Sequence, residues 1–169
     1  MRRLLRDERA SALVEFALVV PLLLALVLGI IEFGRAWNID HVITDAAREG
    51  ARRAVVRVEN QATKVGTAAA PGTVPQVIMQ RLGSAGVQAA GSWDPATQYQ
   101  ADCSGWTLPA TTVTQTVIYG CGWGDSTGEE AWVVIRTPYP FSFLGPVLRL
   151  VGGNMNAAQM STQFVMRNE

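Results

Sequence analysis

The apolar residues of this chain are concentrated at one end. Ser11–Ile31 reads SALVEFALVVPLLLALVLGII and carries a single charge, Glu15. At 1.5 Å rise per residue a helix of this length spans roughly 30 Å, the thickness of a bilayer core. Arg2, Arg3, Arg6 and Arg9 precede the run, and Arg35 and Trp37 follow it. Basic residues gather on the cytoplasmic side of a span, so the pattern places the N-terminus in the cytoplasm and the remainder outside. The run is longer than the apolar core of a secretory signal and lacks an A-x-A cleavage pattern at its end, which points to a retained membrane helix. Pro21 removes one helical hydrogen bond, and a kink or local loosening is expected near Ala17–Pro21.

Beyond the span the period persists while the composition changes. Ile39, Val42, Ile43, Ala46, Ala47, Gly50, Ala51, Ala54, Val55 and Val58 recur at i, i+3 and i+4, one face of a helix. Asp45, Arg48, Glu49, Arg52, Arg53 and Arg57 fall on the other face, where Glu49 is positioned to meet Arg52 and Arg53. A continuous helix is expected from Ser11 to about Val58, roughly 70 Å long. The small-residue stripe allows close approach of another element, and the arginines read first as a solvated face.

The rest alternates weakly. Residues 60–73 form a loop broken by Pro71 and Gly72, and Val74–Leu82 fits a short helix with Val77, Ile78 and Leu82 buried. Asp94-Pro95 is a turn signal. Strands are expected at Thr112–Tyr119, Ala131–Thr137 and about Ala158–Arg167, the first two joined by a long loop across Gly122–Gly128. The apolar stretch Pro138–Gly152 is too short for a second span. It reads as a loop with a short amphipathic helix that packs on the sheet or, alternatively, touches a membrane or partner. The fold class is α+β: a long N-terminal transmembrane helix continuing into an exported domain with a small antiparallel sheet, in the manner of a pilin. The divisions are a basic leader (1–10), the span (11–34), an amphipathic extension (35–59) and the exported domain (60–169).

Composition narrows the function. The chain has 169 residues with 14 basic and 14 acidic side chains, so it lacks the positive balance of a nucleic-acid binder. No nucleophile elbow, Walker loop or H-E-x-x-H motif occurs, and no enzyme activity or small-molecule substrate is expected. His41 stands alone on the helix. The acids of Gly120–Glu130 do not follow a calcium-loop spacing, and the two cysteines with one histidine do not complete a zinc site. No cofactor or metal is expected. In an exported domain Cys103 and Cys121 are expected to form a disulfide, with free buried thiols as the alternative; an unstrained bridge closes a loop of about 19 residues and contributes roughly 3 kcal/mol.

Glu15 is the residue in the span that needs a reason. A charge deep in the bilayer costs about 2.5–3.5 kcal/mol, less near an end, and a carboxylate reaching the interface is one solution. The other is a partner. Cleavage between Ala10 and Ser11 creates an α-amino group four residues before Glu15, followed by Phe16. Such a pair is favourable only when well aligned and costly when broken, so it can set the axial register of parallel helices.

The basic leader, small residue and Ser11-Ala12-Leu13-Val14-Glu15-Phe16 together resemble a type IV prepilin-like signal. The longer string Ser11–Leu22, with Gly29-Ile30-Ile31-Glu32-Phe33-Gly34-Arg35, Asp45-Ala46-Ala47-Arg48-Glu49-Gly50-Ala51-Arg52 and the C-terminal Val165-Met166-Arg167-Asn168-Glu169, is similar to TadE/TadG-like proteins of the Tad (Flp) pilus machinery. The resemblance implies a pseudopilin or minor pilin, inserted in the inner membrane, cut by a prepilin peptidase and partnered with other pilins or pseudopilins. Ala10 stands where that family usually has glycine. A reading of another class is an uncleaved, membrane-anchored binding or scaffold module whose Trp93, Trp106, Trp123 and Trp132 hold a ligand such as a glycan.

Overall fold

A computed structural model describes residues 8–56, 62–66, 70–87, 93–110, 112–123, 130–143, 145, 146, 149 and 158–167. It shows a long apolar N-terminal helix followed by a small four-stranded mixed sheet. Helix α1 runs Glu8–Val55 and passes through Pro21 without interruption. The chain divides into two compact units. One is Met1–Ala36 with Pro140–Asn156, and the other is Trp37–Tyr139 with Ala157–Glu169.

The second unit holds the hydrophobic core. The small-residue stripe of α1 is its floor: Ile43, Ala46, Ala47, Ala51 and Ala54 are all fully buried. Against it pack Val74, Ile78 and Leu82 from α3 (Val74–Ser84) and Ile118, Ala131, Val133 and Ile135 from the sheet. Removing side-chain bulk from one face of α1 is what permits this approach. A Cβ at Gly50 would fall 2.6 Å from Ile78 Cδ1. Thr73 caps α3 by accepting from the Gln76 amide, and Pro75 stands in its first turn, both standard for a helix start.

The sheet order is β1-β2-β3-β4. β2 (Val117–Cys121), β3 (Glu130–Tyr139) and β4 (Ala158–Arg167) are antiparallel neighbours, as the alternation predicts. The departure is β1, Tyr99–Gln100, which pairs parallel with Gly120 and Cys121 and makes the sheet mixed. Two residues carry no alternation to read. β2 begins five positions later than Thr112, because the chain bends at 114–115; Thr116 falls opposite Thr137 in the β2–β3 register and meets it through the two hydroxyls, 2.8 Å apart. β3 extends to Tyr139 through Pro138, which lies past β2's last partner, Arg136. There β3 has a neighbour on one side only, a position where a strand tolerates proline.

α1 stops at Val55, short of the expected Val58. Lys64, in the short α2 (Ala62–Val65), donates to the carbonyl of Arg53 and caps the last turn. Residues 57–61, the leader 1–7, most of the loop across Gly122–Gly128 and most of Pro138–Gly152's expected helix lie outside the described residues.

Candidate functional site

The N-terminal half of α1 exposes its apolar side chains. Leu13, Val14, Phe16, Leu18, Leu22, Leu24 and Leu26 are each more than half exposed, and the most apolar window of the helix buries nothing against this chain. It is the one helix among the described residues long and apolar enough to cross a membrane. A helix apolar on all sides satisfies its own backbone hydrogen bonds and leaves only side chains to be covered, the requirement for existing in lipid.

Ala10 and Ser11 lie in the first turns of α1, whose helix begins before them, at Glu8. Ser11 and Glu15 are one helical turn apart, so the Ser11 nitrogen and the Glu15 side chain share a face. Glu15 and Phe16 are both exposed. The expected register elements are therefore presented on the helix surface.

A second acid in this helix behaves differently. Glu32, the first residue after the apolar run, is only 3% exposed. Its two carboxylate oxygens accept the backbone amides of Ser142, at 3.2 Å, and Phe143, at 2.9 Å. Charge-assisted bonds of this kind are stronger than neutral ones and help to satisfy a buried carboxylate. One turn later the Arg35 guanidinium stands 5.6 Å from the centre of the Phe143 ring, within cation–π range. Sequence reasoning placed Glu32 within a familiar string but gave it no role. Its partners lie 110 and 111 residues away, and no periodicity reports them.

On the C-terminal part of α1 the arginines divide. Asp45 and Arg48 form an ion pair at 3.4 Å, both well exposed, and Arg48 also faces the ring of Phe164 at 5.6 Å. The expected pairing of Glu49 with Arg52 and Arg53 is not formed. Arg53 instead turns inward, donating from Nε to the Gly72 carbonyl at 2.8 Å. Gly72 has φ +81, and a Cβ there would come within 3.0 Å of the guanidinium. Lys64 is fully buried beside Arg53, and its pKa is lowered to about 8, first by loss of solvent and then by the Arg53 charge.

Cys103 and Cys121 are joined by a disulfide. The tryptophans do not form one platform. Trp93 and Trp123 are buried and stacked, with centroids 5.1 Å apart. Trp123 donates from its indole to the Trp132 carbonyl, and Trp93 to the Val65 carbonyl. This stack exists because Gly120 has no side chain: a Cβ there would lie 1.9 Å from the Trp123 ring. Trp106 and Trp132 meet edge to face at 6.1 Å. Trp106 also lines an open cleft of about 310 Å³ with Tyr99, Gln100, Thr107 and Tyr119.

Among the described residues no group of three or more His, Cys, Asp or Glu side chains is placed to hold a metal. Residues 10–52 match the family model of TadE-like protein. No curated protein and no solved structure gives a significant match to the chain.

Proposed function

We propose, with the match of residues 10–52 to TadE-like protein as the premise, that this chain is a Tad pilus-related pseudopilin or minor pilin. Its role is structural and not enzymatic, and it acts through parallel association of N-terminal helices in the inner membrane. The N-terminus is cytoplasmic and the sheet domain lies on the far side. The observation that supports this reading best is the apolar half of α1, exposed on every side, with Glu15 on its surface one turn from Ser11. The partners are the lipid bilayer, a prepilin peptidase and other pilins or pseudopilins.

The peptidase cuts between Ala10 and Ser11. That bond lies in the first turns of α1, the part of a helix with the fewest internal hydrogen bonds, so local unwinding exposes it at small cost. The new amine at Ser11 pairs with Glu15 of its own or a neighbouring chain. An unpaired charge in low dielectric costs far more than a paired one, so helices shifted out of register are disfavoured. Glu15→Ala is then expected to insert in the membrane normally and to abolish incorporation into the assembly. Normal assembly with Glu15→Ala would sink the register mechanism.

The cleft beside Trp106 is the observation that favours a second reading, an uncleaved anchored binding module. Saturable ligand binding lost in Trp106→Ala, together with an intact Met1 terminus, supports it.

A further inference from the structure

We infer that the segment Pro140–Phe143 is an interfacial membrane contact, held at the outer end of the span by Glu32, with Phe143 seated in the lipid headgroup region. The inference rests on the reading of α1 as a membrane span. It adds a second element of the chain, far away in sequence, that touches the same bilayer.

Depth is set by the helix. Ser11–Ile31 fills roughly 30 Å of bilayer core, so Glu32 stands at the boundary where that core ends. A carboxylate at that level is costly unless its oxygens are satisfied. Both are, by the amides of Ser142 and Phe143. Those two bonds fix the backbone of the segment at the depth of Glu32. Phe143 is nonetheless 43% exposed, and Ser142 and Pro140 are exposed too. An aromatic ring open to its surroundings at the end of a span, with the Arg35 guanidinium 5.6 Å from its centre, is apolar body and cation in the order that the interface requires. The ring faces acyl chains and the guanidinium reaches phosphate. The occupant is therefore a lipid surface, because the segment is bonded to the helix that carries the bilayer.

The test uses the full chain, whose two native cysteines are joined, in vesicles of phosphatidylethanolamine and phosphatidylglycerol. A nitroxide is attached at Ser142→Cys, beside Phe143, and at Leu23→Cys in the middle of the span. Collision with oxygen and with a water-soluble nickel complex reports the depth of each. The label at 142 is expected to be several-fold less accessible to nickel than a nitroxide in water, and shallower than the label at 23. Adding Phe143→Asp to Ser142→Cys is expected to restore nickel access. A label at 142 as accessible as one in water, with the label at 23 still buried in lipid, overturns the interfacial contact and leaves the span intact. Nickel access at both positions overturns the span reading and this inference with it.

Discussion

The carboxylate of Glu32 accepts the backbone amide of Phe143 at 2.9 Å, across 111 positions of sequence. With the matching bond to Ser142 it fixes a remote loop to α1 at the end of the apolar run. Glu32→Ala leaves two amides without their acceptor, a loss of about 1–3 kcal/mol for each group that stays buried. The expected result is loss of hydrogen-exchange protection at Ser142 and Phe143, with the sheet amides unchanged. Glu32→Gln keeps a carbonyl acceptor and is expected to lose only part of that protection. Unaltered exchange at both amides in Glu32→Ala would show that the carboxylate does not hold the loop.

Two glycines approach their neighbours closely, and the neighbours decide which matters more. At Gly50 an added Cβ meets the end of the Ile78 side chain, which can rotate. At Gly120 it meets the indole of Trp123 at 1.9 Å, a rigid ring bonded to Trp132 and stacked on Trp93. Overpacking costs about 1–3 kcal/mol, and Gly120→Ala is expected at or above the upper end, Gly50→Ala near the lower. Thermal unfolding of the two variants checks the order. Tryptophan fluorescence is expected to shift in Gly120→Ala only.

The fold was legible in the sequence to the extent that it repeats. The period of α1, its small-residue face, α3 and the three antiparallel strands all follow from spacing. The mixed character of the sheet was not, because β1 has two residues and its pairing is set by where Tyr99 arrives. The end of α1 was missed by one turn because its cap comes from Lys64, on a separate element. Glu32 belongs to the same class. In the sequence it is one acid in the Gly29–Arg35 string with no role of its own, and only the folded chain shows the two amides it holds. The four tryptophans read as one set, but packing divides them into a buried pair and a pair near the surface.

Lys64 gives stability a dependence on pH. Its pKa falls from 10.5 to about 8 in the fold, through burial first and the neighbouring Arg53 second. Between those values the unfolded chain binds more protons than the native one, so stability rises with pH across that window. The gain over the full window is up to about 3 kcal/mol. The wild-type chain in detergent micelles is expected to gain stability relative to Lys64→Met between pH 8 and 10. Parallel curves for the two proteins would mean that Lys64 titrates normally.

The disulfide between Cys103 and Cys121 spans 18 positions, and a closed loop of that size contributes about 3 kcal/mol by restricting the unfolded chain. It also holds the segment that carries Trp106 next to β2. The double variant Cys103→Ala, Cys121→Ala is expected to lower the denaturant midpoint by an amount of that order while α1 keeps its helicity. An unchanged midpoint would mean that the bridge adds nothing to the stability of the sheet domain.

Whether α1 belongs to a processed pilin-like subunit is decided by the N-terminus of the protein recovered from its native membrane. Terminal sequencing by mass spectrometry is done in strains with and without the cognate prepilin peptidase. The expected chain starts at Ser11 when the peptidase is present and at Met1 when it is absent. A Met1 start in a strain that assembles pili normally would contradict it, since Glu15 would then have no amine to pair with.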